Sequence, residues 1–461
     1  MAEVTTDFEE VSKGLPRLDA PSPLAAIARQ DAVAACLLLL GAGAALVLAN
    51  TAASEWYHHL WHITFGLSFG GAELKQSLHV WINDGLMAIF FFVVGLEIKR
   101  ELLVGELASF RKALLPAVAA LGGMVCPALI FLAINWGTPS ARGWGIPMAT
   151  DIAFATGGLA LLGKRAHPAL SVFLVALAIV DDLGAVLVIA VFYTQQIAML
   201  PLIVGAVLVS ISFGLNLLGV RRVWPYALIG AIVWWAFLQS GVHATIAGVL
   251  LAFTVPAHAR YETPHFNTRM GALLRKFAAA EDNVNPLQVN HQQQEIIRFM
   301  QREHVLVEPP LQRIEFALHP ACVLFILPLF AFSNAGVTLE FGSIGGMLIE
   351  RTTLGVFFGL VLGKQIGVTL FSWLAVKLRL ADLPEGMKWI HVYGLSWLAG
   401  IGFTMALFIN ELAFKPLPGE DAEVLGRFLA EGKIAVFMAS FVAGAIGLFV
   451  LRLAAKVPIT E

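Results

Sequence analysis

Near the middle of the chain lies the stretch Ala178-Ile179-Val180-Asp181-Asp182-Leu183-Gly184, which places two adjacent carboxylates inside an apolar segment running from 169 to 193. That length and composition predict a membrane-spanning helix. Each carboxylate adds about 2.5–3.5 kcal/mol to the cost of insertion, so the pair adds on the order of 5–7 kcal/mol. We therefore expect the pair to hold a cation or protons, although capping of both groups by Ser or backbone donors is an alternative.

The rest of the chain has the same apolar character. Of its 461 residues, 58% are hydrophobic and 13% are charged, against about 45–50% and about 25% in soluble domains. Too few polar side chains remain to cover a water-soluble globule, and the apolar content excludes disorder. The net charge of −2 argues against nucleic acid as a partner. The composition predicts an integral membrane protein whose three cysteines serve packing.

Twelve apolar segments are candidates for membrane spans. Backbone groups in hydrocarbon must bond within their own segment, so these segments are predicted to be helices, and the fold an all-α polytopic membrane protein. The segments are 32–50, 80–97, 112–135, 146–163, 169–193, 199–219, 223–240, 242–256, 317–336, 352–378, 390–410 and 434–452.

The basic residues predict the orientation and the organisation of the chain. With both termini in the cytoplasm, 23 of the 30 Lys and Arg residues lie on the inner side, as the positive-inside rule requires. The predicted parts are a cytoplasmic segment 1–30, spans 1–8 in 31–256, a long cytoplasmic loop 257–316, spans 9–12 in 317–452 and a tail 453–461.

Two connections between spans are unusual. Around Gly70-Gly71, alternating apolar residues predict an outer β-hairpin at about 62–77, whose free edges could pair with a second copy of the chain. An ordinary extracellular loop fits the sequence equally well. In the long inner loop, the stretch from Gln288 to Arg302 has the spacing of an amphipathic helix on the membrane surface.

Lys364 lies at the centre of the segment 352–378. One buried cation and two buried carboxylates predict a salt bridge, with one Asp left to bind a ligand. A static ion pair that only fixes helix packing is the alternative.

Two spans carry signs of a break in mid-membrane. Pro147, Thr150 and Asp151 lie in the segment 146–163, and the stretch Ala399 to Thr404 in 390–410 contains Gly400 and Gly402. Interrupted helices in corresponding positions of two halves, 112–193 and 352–452, indicate a transporter built from inverted-topology repeats.

Further polar residues lie in or beside the predicted spans. Glu97 to Glu101 form a charge cluster that could titrate or could simply anchor a helix end in water, and His243 could sense pH or serve packing. The members of this group are Asp84, Glu97, Arg100, Glu101, His243, His319, Asn334 and Thr404.

Seven motifs in chain order resemble those of the NhaA-type sodium/proton antiporters, and the similarity runs from about residue 30 to 452. They are Trp81–Ala88 (WINDGLMA), Gly95–Leu102 (GLEIKREL), Ala149–Ala155 (ATDIAFA), Leu177–Ala185 (LAIVDDLGA), Ser240–Thr245 (SGVHAT), Leu329–Gly336 (LFAFSNAG) and Gly400–Met405 (GIGFTM). The resemblance implies about twelve helices, two of them interrupted and crossing. It also implies a bacterial inner-membrane homodimer, joined by the hairpin, that exchanges internal Na⁺ or Li⁺ for external H⁺ without a cofactor.

The resemblance also implies roles for individual residues. Asp182 and Asp181 would form the ion site beside Thr150, with Lys364 paired to Asp181 in the sodium-free state and Asp151 balancing positive helix ends. The positions associated with pH activation are Glu97, Arg100, Glu101, His243, Arg313, Glu315 and His319. The chain departs from the family pattern in its long 257–316 loop, in Gln312 and Phe316, and in an extension at 415–433.

Two other functions are considered. A sodium-coupled symporter of a small organic solute would use the same architecture but would need a second pocket. An intramembrane aspartyl protease would need two facing carboxylates, which Asp151 and Asp182 could imitate, but the chain lacks a GxGD motif.

Overall fold

The computed structural model describes residues 23–69, 72–163, 166–194, 197–259, 263–280, 291–338, 344–417 and 419–454. Helices dominate this part of the chain, which confirms the all-α prediction. They are α1 Pro23–Ala49, α2 Ser54–His62, α3 Leu78–Val104, α4 Phe110–Asn135, α5 Ile152–Ala160, α6 Pro168–Phe192, α7 Met199–Leu217, α8 Val223–Ser240, α9 Ala244–Thr254, α10 Thr263–Ala279, α11 His291–Val307, α12 Pro310–Asn334, α13 Ile344–Ile349, α14 Arg351–Lys377, α15 Trp389–Ala399, α16 Phe403–Ala413 and α17 Ala422–Ala454.

Within these described ranges, eight helices are long and apolar enough to cross a membrane, or ten if each of two bent pairs is one span. One bent pair is α15 and α16, which meet at 46°. Each of the twelve predicted segments contains helix, but 242–256 holds only the 11-residue α9 and 146–163 is broken. The chain is therefore a multi-pass membrane protein.

The largest difference from the predicted boundaries is in α17, which begins at Ala422 and not near 434. Its 33 residues extend for about 50 Å, well beyond a hydrocarbon core of about 30 Å. Charged residues in this added part of the helix are paired, with Lys433 2.7 Å from Glu411 and Arg427 3.4 Å from Glu431. Most of the 415–433 extension is therefore the N-terminal part of this helix.

By its internal contacts the chain forms two compact units. The first consists of the described parts of Met1–Ser54, Leu115–Asp181 and Val323–Glu461, and the second of Glu55–Leu114 and Asp182–Cys322. The division passes through α6 between the two carboxylates that the sequence singles out.

In the first unit, glycines bring α14 against α4. Gly355, Gly359, Gly363 and Gly367 recur every four residues and so share one face of α14. A Cβ at Gly367 would lie 2.0 Å from the carbonyl oxygen of Gly122 on α4, and one at Gly363 would lie 2.6 Å from Cα of Pro127. Small residues permit such close approach of membrane helices. This packing fixes the position of Lys364, the residue after Gly363.

In the second unit, the short helix α9 packs on α3 in the same manner. A Cβ at Gly248 would lie 2.3 Å from the carbonyl oxygen of Ala88, and one at Gly95 would lie 2.8 Å from Cβ of Ala252. Near its start, α3 widens into a π-helical turn at Trp81–Leu86, a feature that often accompanies functional sites.

The two unusual connections have defined structure. Strands β1 Thr64–Phe69 and β2 Ala72–Ser77 pair antiparallel, with Thr64 opposite Ser77, as the predicted hairpin requires, while Gly70-Gly71 lies outside the described residues. The amphipathic helix predicted in the inner loop is present as α11 from residue 291 onward. It packs on α10, where Arg269 and Glu303 form a salt bridge of 3.2 Å.

Most of the predicted segment 1–30 and of the tail 453–461 lies outside the described residues.

Candidate ion-binding site

Two helix breaks meet inside the first unit. A 3₁₀ helix, Pro139–Met148, contains Pro147 and gives way to extended backbone at Ala149 before α5 begins at Ile152. The second break lies between α15 and α16. The amide of Asp151 donates a 2.7 Å hydrogen bond to the carbonyl of Ile401, which joins the two breaks directly. Both interruptions that the sequence indicates are therefore present, and they contact each other.

The place where the two breaks meet is the crossing, and the helices α5 and α16 begin there. Asp151 caps the positive N-terminal ends of both of these helices. Its Oδ1 accepts a 3.1 Å hydrogen bond from the amide of Phe154 in the first turn of α5. Its Oδ2 accepts a 2.9 Å hydrogen bond from the amide of Thr404 and a second hydrogen bond from the Thr404 hydroxyl, both at the start of α16. A carboxylate at a helix N-terminus interacts favourably with the helix dipole, and here one carboxylate serves two helices.

Lys364 lies on the other side of the same crossing. Its Nζ donates to Oδ2 of Asp181 at 2.8 Å and to Oγ1 of Thr150 at 2.9 Å. The Thr150 hydroxyl in turn donates to the carbonyl of Ala399, the last residue of α15, at 2.8 Å. The ammonium is therefore linked through Thr150 to the negative end of a half-helix and directly to a carboxylate.

The ion pair between Lys364 and Asp181 is completely buried, with both side chains 0% exposed. Removal of two charges from water is costly, and the geometry must be good to offset that cost. A π-helical turn at Gly359–Gly363 directly precedes Lys364, and such turns often accompany functional sites.

Asp182 is the next residue of the same helix and is 1% exposed. Consecutive positions of an α-helix point about 100° apart, so the carboxylates of Asp181 and Asp182 leave α6 in different directions. The sequence prediction that both are buried agrees with the structure.

The residues that the family resemblance links to pH activation fall into two groups in the second unit. In one, Arg100 pairs with Glu315 of α12 and, at 3.2 Å, with Glu101. Glu97 lies one turn earlier on α3, and α12 also carries Arg313 and His319. In the other, Nδ1 of His243 lies 3.8 Å from Oδ1 of Asp84.

Asn334, the remaining polar residue singled out from the sequence, is the last residue of α12. It is fully buried and donates a 3.0 Å hydrogen bond to the carbonyl of Phe330. This bond lies within the helix itself.

Sequence reasoning missed three features near these sites. The four-residue glycine period of α14 is visible in the sequence and could have been found. Lys99 donates to the carbonyls of Phe253 and Val255 at the end of α9, and no local pattern predicts a contact over more than 150 residues. Gln365, a buried amide that follows Lys364, is an isolated polar residue in an apolar run and could have been noted.

The oxygen atoms around Lys364 belong to a carboxylate and a hydroxyl. Such hard oxygen donors suit an alkali cation as well as an ammonium group. These oxygens can therefore hold one positive charge, either the ammonium group or an alkali cation. Protonation of the carboxylate would release that charge.

Comparisons with known proteins identify the family. The family model described as "Na+/H+ antiporter 1" matches residues 25–451. The Na(+)/H(+) antiporter NhaA 1 of Saccharophagus degradans is 47% identical over 89% of this chain and 87% of its own length.

Two further curated relatives cover even more of the chain. The Na(+)/H(+) antiporter NhaA of Koribacter versatilis is 48% identical over 95% of this chain and 93% of its own length. That of Oleidesulfovibrio alaskensis is 49% identical over 92% of each. The chain therefore belongs to the Na+/H+ antiporter 1 family, in agreement with the resemblance carried by its seven motifs.

Proposed function

We propose that this protein exchanges Na⁺ for H⁺ across a bacterial inner membrane, using Asp181 and Asp182 as a shared site for the two ions. Family membership supports Na⁺/H⁺ exchange by a secondary transporter that is not an enzyme and needs no cofactor, and it does not support the symporter alternative. The observation that carries the assignment of the site is the buried contact between Lys364 and Asp181, with Asp182 adjacent.

Competition at one site accounts for exchange. Lys364 donates to Oδ2 of Asp181 and Oγ1 of Thr150, two oxygens that a Na⁺ ion would use. A cation that binds these oxygens displaces the ammonium, and a proton on the carboxylate displaces the cation. Because the site holds one or the other, a protein that opens it to each side in turn couples the two fluxes.

The two helix breaks provide a way for the backbone at the site to rearrange. Thr150 and Asp151 lie in the extended segment between two half-helices, and both hydrogen-bond to the second break. A change in the hydrogen bond between Lys364 and Thr150 therefore acts on a segment whose backbone is not held by the hydrogen bonds of an α-helix. Rearrangement of such a segment disrupts few hydrogen bonds.

The charge carried in each cycle follows from the number of protons exchanged. If two protons leave the site for each Na⁺ bound, one net charge crosses the membrane. A potential of 100 mV then contributes about 2.3 kcal/mol per charge. We propose this electrogenic stoichiometry, and we propose Li⁺ as a second substrate because it offers the same hard charge to oxygen ligands.

The remaining assignments are also proposals. The basic residues of the sequence support cytoplasmic termini and the domain boundaries given above. The exposed hairpin of β1 and β2 is a suitable contact in a homodimer, since its edges offer unpaired backbone groups. The half-buried group of Arg100, Glu101 and Glu315 supports a role in pH activation, as does the pair of His243 and Asp84.

The test is Na⁺-driven proton flux in proteoliposomes between pH 6 and 9. We expect Asp182→Asn to abolish the flux while the protein still inserts and folds, because the amide cannot exchange a proton. Asp382→Asn is the matched control, since Asp382 is exposed and lies outside the site. Retained Na⁺-driven proton movement in Asp182→Asn would reject the assigned site. Loss of this proton movement in Asp382→Asn would show that the effect is not specific to the site.

A further inference from the structure

The long loop of the second unit folds into a two-helix hairpin that the exchange mechanism does not use. Its helices α10 and α11 pack against each other. In α10, the partly buried residues Phe266, Met270, Leu273 and Phe277 recur at intervals of four, three and four positions, so they share one face. An apolar stripe with this spacing is the side of a helix that packs against a partner helix. The residues on either side of the stripe therefore flank the contact with α11.

One flank of α10 lies beside one flank of α11. Arg269 and Lys276 are seven positions apart and so share a flank of α10, and both are exposed. Phe299 and Glu303 are one turn apart on α11. The salt bridge of 3.2 Å between Arg269 and Glu303 joins the two flanks. They therefore form one continuous surface of the hairpin.

This surface combines positive charge with exposed apolar side chains. Helix α10 carries Arg269, Arg275 and Lys276 and contains no Asp or Glu. The ring of Phe299 is 50% exposed, and Cζ of Arg302 lies 5.9 Å from its centre. Helices that place Lys and Arg beside Phe and Leu are typical of elements that lie in the interface of anionic membranes. We name this surface the bridge face, and its members are His265, Arg269, Lys276, Phe299, Arg302 and Leu306.

The hairpin is attached where α9 ends and α12 begins. The amide of Leu311, in the first turn of α12, donates a 3.1 Å hydrogen bond to the carbonyl of Pro256, which follows α9. Helix α12 is long and apolar enough to cross a membrane, so this point lies near a membrane surface. Val307, the last residue of α11, is only four positions before Leu311, a distance of at most about 14 Å for extended chain. Lipid head groups are therefore always within reach of the hairpin.

We propose that the bridge face docks on anionic phospholipids of the membrane that the chain itself spans. Phe299 and Leu306 enter the interface, and Lys276 and Arg302 contact lipid phosphates. The short attachment keeps these lipids at a high effective concentration, so a few charges are enough for docking. A soluble anionic partner has no such advantage. The bridge face contains no residue of the ion site, so this docking is separate from Na⁺/H⁺ exchange.

The test places one fluorescent probe on the hairpin of the full chain. Cys36, Cys126 and Cys322 are replaced by Ala, and Phe299→Cys is labelled with the uncharged aromatic dye NBD. Single copies of the chain are placed in nanodiscs of phosphatidylcholine with an increasing fraction of phosphatidylglycerol. As that fraction rises, we expect a blue shift of the NBD emission and quenching by lipids that carry a shallow doxyl group. High salt should reverse both effects, because it screens exposed charges.

Two variants and a second probe position test the bridge face itself. Lys276→Gln removes one charge from it, so the ratio of docked to free hairpin should fall about fivefold, the factor expected for one basic residue near an anionic surface. Arg275→Gln is the matched control and should change the ratio much less, because Arg275 lies about 100° away around α10. NBD on Gln301→Cys lies about 200° around α11 from position 299 and should not be quenched by lipid.

Four results would overturn the proposal. The first is an equal response in pure phosphatidylcholine, or no quenching at any lipid composition. The second is equal quenching of the probes at 299 and 301, and the third is an equal effect of Lys276→Gln and Arg275→Gln, which would indicate diffuse attraction without a defined face. The fourth is a blue shift that requires two copies of the chain in one nanodisc and ignores lipid charge, which would assign the bridge face to a second copy. None of these results bears on the ion site.

Discussion

Replacement of Lys364 by Ala should destabilise the protein strongly, because it leaves the carboxylate of Asp181 buried without its cation. Both side chains are 0% exposed and their charged atoms are 2.8 Å apart. Removal of one partner from a buried pair costs about 3–5 kcal/mol. For 461 residues, an unfolding entropy of about 2.1 cal/mol/K per residue is roughly 1 kcal/mol/K, so Tm should fall by about 3–5 °C.

The assay is thermal unfolding of the purified protein in detergent, followed by tryptophan fluorescence and without Na⁺. Asp181→Asn should suppress the effect, so that the double variant unfolds at a higher temperature than Lys364→Ala alone. Lys112→Ala is the control, because its bridge to Glu106 is exposed, at 3.4 Å, and such bridges contribute about 0–1 kcal/mol. An unchanged Tm in Lys364→Ala, or strictly additive effects in the double variant, would refute the reasoning.

Three further predictions concern the crossing, the helix packing and the charge carried. Thr404→Val removes the hydroxyl bond to Asp151 and should lower stability by about 1.5–3 kcal/mol, whereas Thr404→Ser should retain it; equal melting temperatures for the two variants would contradict this. Gly367→Ala places a methyl group 2.0 Å from the carbonyl oxygen of Gly122 and should lower Tm or abolish folding, whereas Gly43→Ala, with no atom within 4 Å, should not; equal effects of the two would exclude the close contact of α4 with α14. An imposed membrane potential should change tracer Na⁺ flux in sealed vesicles, and a flux that does not respond would reject electrogenic exchange.

The sequence alone predicts much of the framework, because the relevant signals are local. Apolar runs predict the helices, Pro147 and the glycines at 400 and 402 predict the breaks, and the cost of buried charge singles out Asp181, Asp182 and Lys364. Each of these conclusions depends on a window of at most about 25 residues, the length over which a membrane span is defined.

Other features depend on packing and could not be predicted in this way. The residues alone left open which carboxylate pairs with Lys364, because the answer depends on how α14 packs on its neighbours in the first unit. The contact of Arg100 with Glu315 joins residues 215 positions apart. The predicted span 434–452 omits the first part of α17, in which Glu431 and Lys433 are charged and the structure gives each of them a partner of opposite charge.

The central claim is that hydrogen ions and sodium occupy the same carboxylates in turn, and proton release on Na⁺ binding tests it most directly. Purified protein in weakly buffered detergent solution near pH 8 is titrated with NaCl while a pH-indicating dye is monitored, with choline chloride as the salt control. The account predicts saturable release of protons on addition of Na⁺, and none from Asp182→Asn. Saturable Na⁺ binding without proton release, or release that persists unchanged in Asp182→Asn, would contradict it.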